Sequence, residues 1–391
     1  MRILKVLNNR EYITAMYIVV MGMIVSGFIR PLVIFNVLGS QGLLHVSLLT
    51  LGFMLSRGIS SLYISLMIRR YGYRISGLIA LVLWCISITI YTYTPLHIYP
   101  LIRVLEGFSS GLLWPLMQSL VSISIPKEYC SRAISLYFIA GSLSYNVGIW
   151  IGGFIEKYWG KELLYLTTLV ILIIMIISYD LISLNCNVNT EWYIRKKRVK
   201  TPIGRVLSEI ANIIPLIVIV GGLSGLSIDY ILAYVKSVSG HSDFTVRTLW
   251  SYTGYIALII GYILSHILDK YPSKIIPYTI SYITVLSLAF LSLRLPLELM
   301  YLITILPRMC SFIFKPIIRG FTVKTSSDPE IVVALVNSLS NISAALTPLV
   351  IVFIDKLAKP THILNSLGLS IYTLISIILL IILNLSKSRS T

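Results

Sequence analysis

Long apolar runs separated by short polar segments dominate the sequence. Each run reaches the roughly 20 residues that an α-helix needs to cross the hydrocarbon core of a bilayer. The run that follows Met1–Glu11 is too long for a signal peptide and has no small-residue cleavage site, so we expect it to remain as the first helix. The pattern predicts twelve membrane-spanning helices, numbered spans 1 to 12 in chain order, at residues 12–37, 45–68, 74–95, 97–124, 131–155, 162–185, 208–236, 245–268, 274–294, 297–322, 331–354 and 362–385.

Composition places the chain in the class of all-α integral membrane proteins. Charged residues make up 12% of the chain and hydrophobic residues 57%, whereas a soluble domain has about 25% charged residues. Four cysteines show no paired spacing and the five histidines are far apart, so we predict no disulfide framework, no metal site and no cofactor. The cysteines are Cys85, Cys130, Cys186 and Cys310.

The net charge of +17 reflects topology and does not indicate a nucleic-acid partner. Twenty Lys and Arg residues lie in the terminal segments and in the loops on the side of the termini. Seven are assigned to the opposite loops: Lys157, Lys161, Lys236, Arg247, Arg294, Lys356 and Lys359. Because cytoplasmic loops of membrane proteins are enriched in Lys and Arg, this bias predicts a multi-pass plasma-membrane protein with both termini in the cytoplasm.

The longest loop divides the chain into two halves. It carries a basic run at residues 195–198 and is predicted to be a linker facing water and lipid headgroups. The predicted organisation is an N-terminal six-helix bundle at 1–185, a cytoplasmic basic linker at 186–207 and a C-terminal six-helix bundle at 208–391.

The two halves resemble each other. Residues 154–157 parallel residues 353–356 at an offset of 199, residues 27–35 parallel residues 226–234, and Arg103 corresponds to Arg308. Two pseudo-symmetric bundles are typical of transporters in which the halves rock around a site that lies between them.

Charged residues inside the spans are the candidate binding and coupling groups, because a charge at that depth is costly and faces protein or water. The positive residues exceed the acids Glu106 and Asp229 by three, which favours an anionic solute that Arg can bind in a bidentate manner. The alternative is that the cations only pair with helix-end carbonyls and with the two acids, and we prefer it for Arg57 and Lys315. The positive residues are Arg30, Arg57, Arg103, Arg308 and Lys315.

Two of these charges occupy equivalent positions in spans 1 and 7. We expect Arg30 and Asp229 to pair when the outer side of the protein closes; the alternative is two unrelated charges that face water. Glu106 is the second candidate proton carrier, and its alternative role is a same-helix ion pair that makes Arg103 tolerable.

Several polar and aromatic residues receive structural assignments. Asn337 and Asn341 in span 11 are candidate solute contacts, although polar side chains inside a bundle more often join helices. Four aromatic residues are predicted to lie at the membrane interfaces: Tyr91, Tyr93, Tyr99 and Trp159.

Four segments carry motifs of one known family. Residues 65–74 keep Arg70, Gly72 and Arg74 of a basic loop motif, with Arg69 where an acid is usual, and the loop after span 8 keeps Asp269 followed by Lys270. Span 4 has the Arg-x-x-x-Gly-x-x-x-Gly-x-x-x-Pro pattern at Arg103, Gly107, Gly111 and Pro115. Span 5 ends with Gly148, Gly152 and Gly153 in a pattern similar to an antiporter motif, with Ile149 replacing its proline.

In this order and at these spans, the motifs resemble those of the major facilitator superfamily. The resemblance covers nearly the whole chain and implies that family's fold of two six-helix bundles. It also implies a conformational gate formed by the loop residues and helix packing through the glycines and Pro115.

The resulting prediction is a secondary transporter, not an enzyme, that moves a small solute by alternating access. The solute is expected to be anionic or to bear a carboxylate, and a proton is the candidate coupling ion. Alternatives are proton-coupled efflux of lipophilic compounds, a polytopic membrane enzyme and a non-transporting scaffold. No phosphate-binding loop of the Gly-x-x-x-x-Gly-Lys-Ser/Thr type occurs in the sequence, which argues against direct use of ATP.

Overall fold

Helices account for nearly all of the chain that the computed structural model describes, namely residues 9–125, 127–183, 210–211, 214–270, 275–309, 329–358 and 364–388. The predicted all-α class is confirmed, and the described residues add one isolated antiparallel bridge, between Leu293 and Leu364. The helices are α1 Arg10–Tyr93, α2 Tyr99–Ser124, α3 Lys127–Ser183, α4 Ile214–Gly225, α5 Ile231–Ser239, α6 Asp243–Lys270, α7 Ile275–Ser292, α8 Leu297–Ile303, α9 Pro329–Leu357 and α10 Leu367–Ser388. A 3₁₀ turn, Leu96–Ile98, precedes α2, and a π-helical segment, Leu226–Tyr230, joins α4 to α5.

Glycines divide the two longest helical runs. The 84 residues of α1 would extend about 126 Å as a straight helix, several times the roughly 30 Å hydrocarbon core of a bilayer. Gly42 and Gly72 have φ angles of 76° and 75°, and Gly160 in α3 has φ 87°. A positive φ interrupts a right-handed helix at little cost only in a glycine. These residues therefore separate α1a (10–41), α1b (43–71) and α1c (73–93), and α3a (127–159) and α3b (161–183).

Apolar surface confirms that the helices belong in a membrane. By length and composition, five helical stretches among the described residues can span a bilayer: Arg10–Ile64, Arg70–Tyr93, Ala133–Ser183, Ile214–Ser239 and Leu335–Leu357. Along α3b, large apolar side chains are exposed, including Leu166, Ile173, Ile177 and Leu181. A water-soluble protein rarely leaves such a continuous apolar face uncovered, whereas lipid covers it favourably.

The chain forms two compact units. Unit 1 comprises Met1–Val37, Leu55–Val199 and Ser242–Ser251, and unit 2 comprises Leu38–Met54, Lys200–His241 and Tyr252–Thr391. Each unit thus contains one short segment from the other half of the sequence. The two exchanged segments are equivalent, because the 199-residue offset carries 38–54 to 237–253, which contains 242–251.

Very close helix contacts through glycines occur in both units, and one of them is equivalent in the two. In unit 1, a Cβ on Gly148 of α3a would lie 2.4 Å from the carbonyl oxygen of Ile24, and a Cβ on Gly27 would lie 2.4 Å from that of Tyr145. In unit 2, a Cβ on Gly225 of α4 would lie 2.0 Å from the carbonyl oxygen of Ala344 in α9. The backbones of spans 1 and 5, and of spans 7 and 11, therefore touch in the same manner.

Candidate functional site

A buried ion pair lies in the first two turns of α2 in unit 1. Arg103 and Glu106 are three residues apart and share a helix face, and Nη1 of Arg103 lies 2.6 Å from Oε2 of Glu106. The same carboxylate oxygen accepts a hydrogen bond of 3.1 Å from the hydroxyl of Tyr91. The hydroxyl of Tyr99 donates to the backbone carbonyl of Tyr91 at 3.0 Å, and the two rings meet edge to face. The charge of Arg103 is therefore matched locally within one helix.

Two of the predicted interface aromatics belong to this cluster. Tyr91 and Tyr99 are 1% and 4% exposed, so the prediction that they form part of an interfacial belt was wrong. The reason is the buried carboxylate of Glu106, which needs a hydrogen-bond donor that water cannot supply at this position. Tyr93 and Trp159, in contrast, are 87% and 58% exposed.

A second buried acid, Asp229, lies in the π-helical segment of unit 2. Its side chain is fully buried and accepts a hydrogen bond of 3.0 Å from the hydroxyl of Thr50. The wider turn is seen in the bond from the backbone N–H of Ile231 to the carbonyl of Leu226, five residues earlier. Single π turns inside α-helices are frequently found at functional sites.

Apolar residues pack against the π-helical segment that holds this acid. A buried cluster in unit 2 contacts Ile228, the residue before Asp229. The cluster consists of Phe53, Met54, Ala344 and Ala345. A buried carboxylate needs hydrogen-bond donors, and the hydroxyl of Thr50 supplies one here.

A third buried charge, Arg247, was not among the predicted site residues. It was assigned to a loop, but it lies in α6 and is fully buried, so that assignment was wrong. Its Nη2 lies 2.6 Å from Oε2 of Glu156, and its Nη1 donates to the carbonyl oxygen of Phe28 at 3.2 Å. Its guanidinium also lies over the ring of Phe35, 5.8 Å from the centroid.

The glycine pair at the end of span 5 makes room for this arginine. A Cβ on Gly153 would lie 2.9 Å from Cδ of Arg247, and one on Gly152 would lie 3.1 Å from its Nη1. The sequence offered two signals, namely a Gly-Gly pair just before an acid and an arginine inside a predicted span. Nothing in the sequence alone links the two, because they are about 90 residues apart.

The remaining predicted cations have varied surroundings. Arg30 lies over the ring of Tyr145 at 5.9 Å, and Arg57 is half-buried in α1b. Nη1 of buried Arg308 donates to the hydroxyl of Thr253 at 2.9 Å. Lys315 lies outside the described residues.

The predicted pairing of Arg30 with Asp229 stays a prediction, since the two residues belong to different units. Asn337 and Asn341 are half-buried on α9. Among the residues that the structure describes, no three His, Cys, Asp or Glu side chains lie together as a metal site would require.

The predicted gate residues lie around the turn between α1b and α1c. Gly72 forms the turn, and Arg70 is exposed and lies over the ring of Tyr71 at 5.3 Å. Arg74 at the start of α1c pairs with Asp180 at the end of α3b, with Nη2 of Arg74 2.7 Å from Oδ1 of Asp180. Sequence reasoning missed Asp180. The side chains of Arg69, Asp269 and Lys270 are not among those that the structure describes.

The predicted packing residues of span 4 lie inside α2. Gly107 is buried, and Pro115 lies within the helix. A Cβ on Gly111 would lie 1.9 Å from the hydroxyl oxygen of Ser60 and 2.5 Å from the carbonyl oxygen of Arg57. The backbones of α1b and α2 therefore approach closely at Gly111.

Solved structures with the same architecture are membrane transporters. The nucleoside transporter NupG has a TM-score of 0.71 at 10% identity, over 95% of this chain and 98% of that chain. A D-xylose-proton symporter has a TM-score of 0.73 at 14% identity, over 95% and 97%. The xylose transporter XylE from E. coli has a TM-score of 0.68 at 15% identity, over 95% and 96%. At these identities the likeness shows the fold alone.

Sequence comparison gives the family directly. None of the curated proteins matches this chain. The family model described as Major Facilitator Superfamily matches residues 12–348, which is most of the chain. The match includes Glu106, Glu156 and the π-helical segment that holds Asp229. The chain therefore belongs to the major facilitator superfamily, a family of membrane transporters.

Proposed function

We propose that the protein is a secondary active transporter that moves a small polar solute by alternating access and couples this movement to a proton. The observation that carries the proposal is Asp229, a fully buried carboxylate in a π-helical segment, with Thr50 as a hydrogen-bond donor. An ionisable group at that depth is costly, and a proton-coupled cycle gives it a use, since protonation removes the charge while the carrier reorients.

Twelve helices in two six-helix bundles are the architecture that we propose for this cycle. The glycine turns divide α1 and α3 into five segments that match predicted spans 1, 2, 3, 5 and 6. The equivalent glycine contacts in the two units support a repeat. The division at the basic linker, 186–207, and the cytoplasmic position of both termini remain parts of the proposal.

The solute class proposed is a small molecule that bears a carboxylate or phosphate. Arg103 and Arg247 each have an acid within 2.6 Å, Arg30, Arg57 and Arg308 are three further intramembrane cations, and Asp229 is one further acid. Counted as charges, these intramembrane residues stay positive, which favours binding of an anion. Nucleosides and xylose, the solutes named for the similar structures, are uncharged and are the comparison set.

The efflux alternative has less support. It depended on the glycines at the end of span 5, and each of these has a packing role: Gly148 meets α1a, while Gly152 and Gly153 surround Arg247. Such contacts explain the glycines without reference to any solute.

Uptake into liposomes that contain the purified protein tests the proposal. We expect accumulation of an organic anion to follow an inward proton gradient, whereas an Asp229→Asn variant loses this gradient-driven uptake. The variant should still exchange labelled for unlabelled solute at a rate within a few-fold of wild type. The physical reason is that the neutral amide resembles the protonated acid, which reorients with solute but cannot release a proton.

Glu298→Gln is the matched control, because it neutralises an acid that is exposed to solvent and belongs to none of the predicted sites, and it should leave both rates unchanged. Loss of exchange together with uptake in Asp229→Asn would assign the residue to folding or solute binding and would contradict the coupling role. If wild-type protein moves none of the anions, nucleosides, sugars and lipophilic cations tested, the transporter proposal itself fails.

A further inference from the structure

We propose that Thr50 is a positioning residue that keeps the buried carboxyl group of Asp229 hydrogen-bonded both when it is ionised and when it carries a proton. The inference rests on the proposed function, in which Asp229 carries the coupling proton. It deepens that function by naming a residue that sets the pH range in which the proton is bound and released. Both residues belong to unit 2.

The hydroxyl group of Thr50 has two acceptors within reach. Its Oγ1 lies 3.0 Å from Oδ2 of Asp229 and 3.4 Å from the carbonyl oxygen of Val46, four residues earlier in the same helix. A threonine hydroxyl has one proton to donate and two lone pairs that accept. It can therefore donate to the ionised carboxylate, and it can also turn to Val46 and accept a bond from the protonated acid.

Burial makes this hydroxyl important to the acid. Thr50 and Asp229 are both 0% exposed. Leaving a buried polar group without a partner costs its full desolvation free energy, and the cost is larger for a charged group. A hydroxyl that serves both forms of the carboxyl group therefore lets Asp229 exchange its proton at a buried position.

Packing of α1b against the π-helical segment keeps the two groups together. Phe53 and Met54 follow Thr50 by about one turn. Both belong to the buried apolar cluster against which Ile228 packs, and Asp229 is the next residue. Threonine and aspartate have short side chains, so this backbone packing limits how far the hydroxyl and the carboxylate can separate.

The internal repeat supports a role that is tied to the acid. The offset of 199 residues relates Asp229 to Arg30 and Thr50 to Leu249. A hydroxyl thus stands in the half that has the acid, and an apolar side chain stands at the same position in the half that has the arginine. Packing at this position therefore does not itself require a hydroxyl.

Other titratable and charged residues lie on the elements that pack around the contact. On α1b, His45 lies five residues before Thr50, with its Nδ1 3.1 Å from the carbonyl oxygen of Gln41, and Arg57 lies seven residues after it. The remaining ones are Tyr230, Tyr234 and Lys236 after Asp229 itself, and Asp355 and Lys356 at the end of α9. All of them are kept in the variants that follow, so their influence on Asp229 cancels when a variant is compared with wild type.

Infrared difference spectroscopy of the purified protein tests this role without any solute. The C=O stretching band of a protonated carboxyl group that is missing from Asp229→Asn reports the protonation of Asp229. In Thr50→Val the ionised form loses a bond to a charged group, which is stronger than the bond that the neutral acid loses, so the acid holds its proton more tightly. We expect the midpoint of this band to rise by about one pH unit, a tenfold change in proton affinity. The band itself should move to higher frequency, because the protonated acid has lost an acceptor.

Three further variants separate this role from a general structural one. Thr50→Ser keeps the hydroxyl and should keep the wild-type midpoint, while Thr50→Ala removes it in a smaller side chain and should give the same shift as Thr50→Val. Ser47→Ala is the matched control, because it removes a buried hydroxyl one turn away that bonds only to the backbone carbonyls of Leu43 and Pro348. Its midpoint should stay at the wild-type value even where its melting temperature falls as far as that of Thr50→Val.

The possible outcomes distinguish this role from the proposed function. An unchanged midpoint in Thr50→Val and Thr50→Ala, an equal shift in Ser47→Ala, or an Asp229 band that does not titrate would overturn the role of Thr50. A shifted midpoint in a protein that moves no solute would support this role and contradict only the transporter proposal. Where uptake into liposomes is proton-coupled, its pH midpoint should rise in Thr50→Val by the same amount as the infrared band.

Discussion

At the scale of single residues, the buried carboxylate of Glu106 receives two donors on one oxygen. Arg103 approaches it at 2.6 Å and the hydroxyl of Tyr91 at 3.1 Å. The sequence supports two interpretations of Glu106, a proton carrier and a same-helix partner of Arg103. The geometry favours the second, because an acid that carries protons must at some stage become neutral, and that would leave Arg103 buried without its counter-charge.

Neutralising this acid should therefore be costly for folding. We expect Glu106→Gln to destabilise the protein by roughly 3–5 kcal/mol, since an arginine remains buried without its carboxylate partner. Tyr91→Phe removes one hydrogen bond to a charged group and should cost only about 1.5–3 kcal/mol. Thermal unfolding of the detergent-solubilised protein, followed by tryptophan fluorescence, measures both.

Arg103→Gln/Glu106→Gln is the informative partner variant. If the single change is costly because a charge is stranded, removing both charges should recover much of the lost stability. A Glu106→Gln protein that unfolds at the wild-type temperature would contradict the pairing role. If transport by the Glu106→Gln variant also no longer depended on pH, Glu106 would again be a candidate proton carrier.

At the scale of helices, close packing depends on a few glycines. The contact between α3a and α1a brings Gly148 within 2.4 Å of the Ile24 carbonyl, measured from the position of a Cβ. We expect Gly148→Ala to force the two backbones apart and to destabilise the protein by roughly 1–3 kcal/mol, the usual cost of overpacking. Chemical denaturation or thermal melting measures this change.

Gly39→Ala is the matched control, because Gly39 lies in α1a, the other helix of this contact, and nothing lies within 4 Å of a Cβ at that position. Alanine in an open helical position should stabilise the protein by about 0.5–1 kcal/mol. Equal effects of the two substitutions would show that helix propensity, and not the close contact, determines the role of Gly148.

The positions of the helices could be predicted from the sequence to a large extent. The side-chain contacts between helices could not. The length of each apolar run locates the spans, and Gly42, Gly72 and Gly160 lie in the polar gaps between them. Arg247 was misassigned because a charge near the end of a span resembles a loop residue. Its burial depends on Glu156 and on a glycine pair far away in the chain, and a local pattern contains neither.

At the candidate site, too, the residue could be predicted from the sequence but its surroundings could not. Asp229 stands out in the sequence as an acid inside an apolar run, but the π turn that holds it and the donor from Thr50 could not be predicted. A π turn differs from an α turn by one backbone hydrogen bond, and its cost is offset by tertiary contacts rather than by the residue types of the turn itself.

At the scale of the whole molecule, the repeat gives each unit an equivalent segment from the other half of the sequence. The segment 38–54 belongs to unit 2, where Ser47 donates to the carbonyl oxygen of Pro348 at 3.3 Å. The segment 242–251 belongs to unit 1, where Arg247 pairs with Glu156. Two halves that share one folding pattern are expected to place equivalent segments in the opposite unit. Of these two segments, 242–251 carries the arginine of the Arg247–Glu156 ion pair.

The predicted orientation in the membrane depends on the count of Lys and Arg residues in the loops, in which Arg247 was wrongly included. Moving this one residue from the loops to the interior changes the bias from 20 against 7 to 20 against 6, so the predicted orientation becomes slightly stronger. Single misassigned residues matter little because the positive-inside bias is a sum over many loops. The cytoplasmic side should therefore hold the termini and the basic linker, 186–207.

Cysteine labelling in intact cells measures this orientation. A variant that keeps Cys186 alone, in the predicted linker, should react with a membrane-impermeant maleimide only after the cells are permeabilised. A cysteine-free protein with Ser242→Cys, in the turn before α6, should react in intact cells, since that turn lies one membrane crossing away from the linker along span 7. Labelling of Cys186 from outside, with protection of position 242, would reverse the orientation.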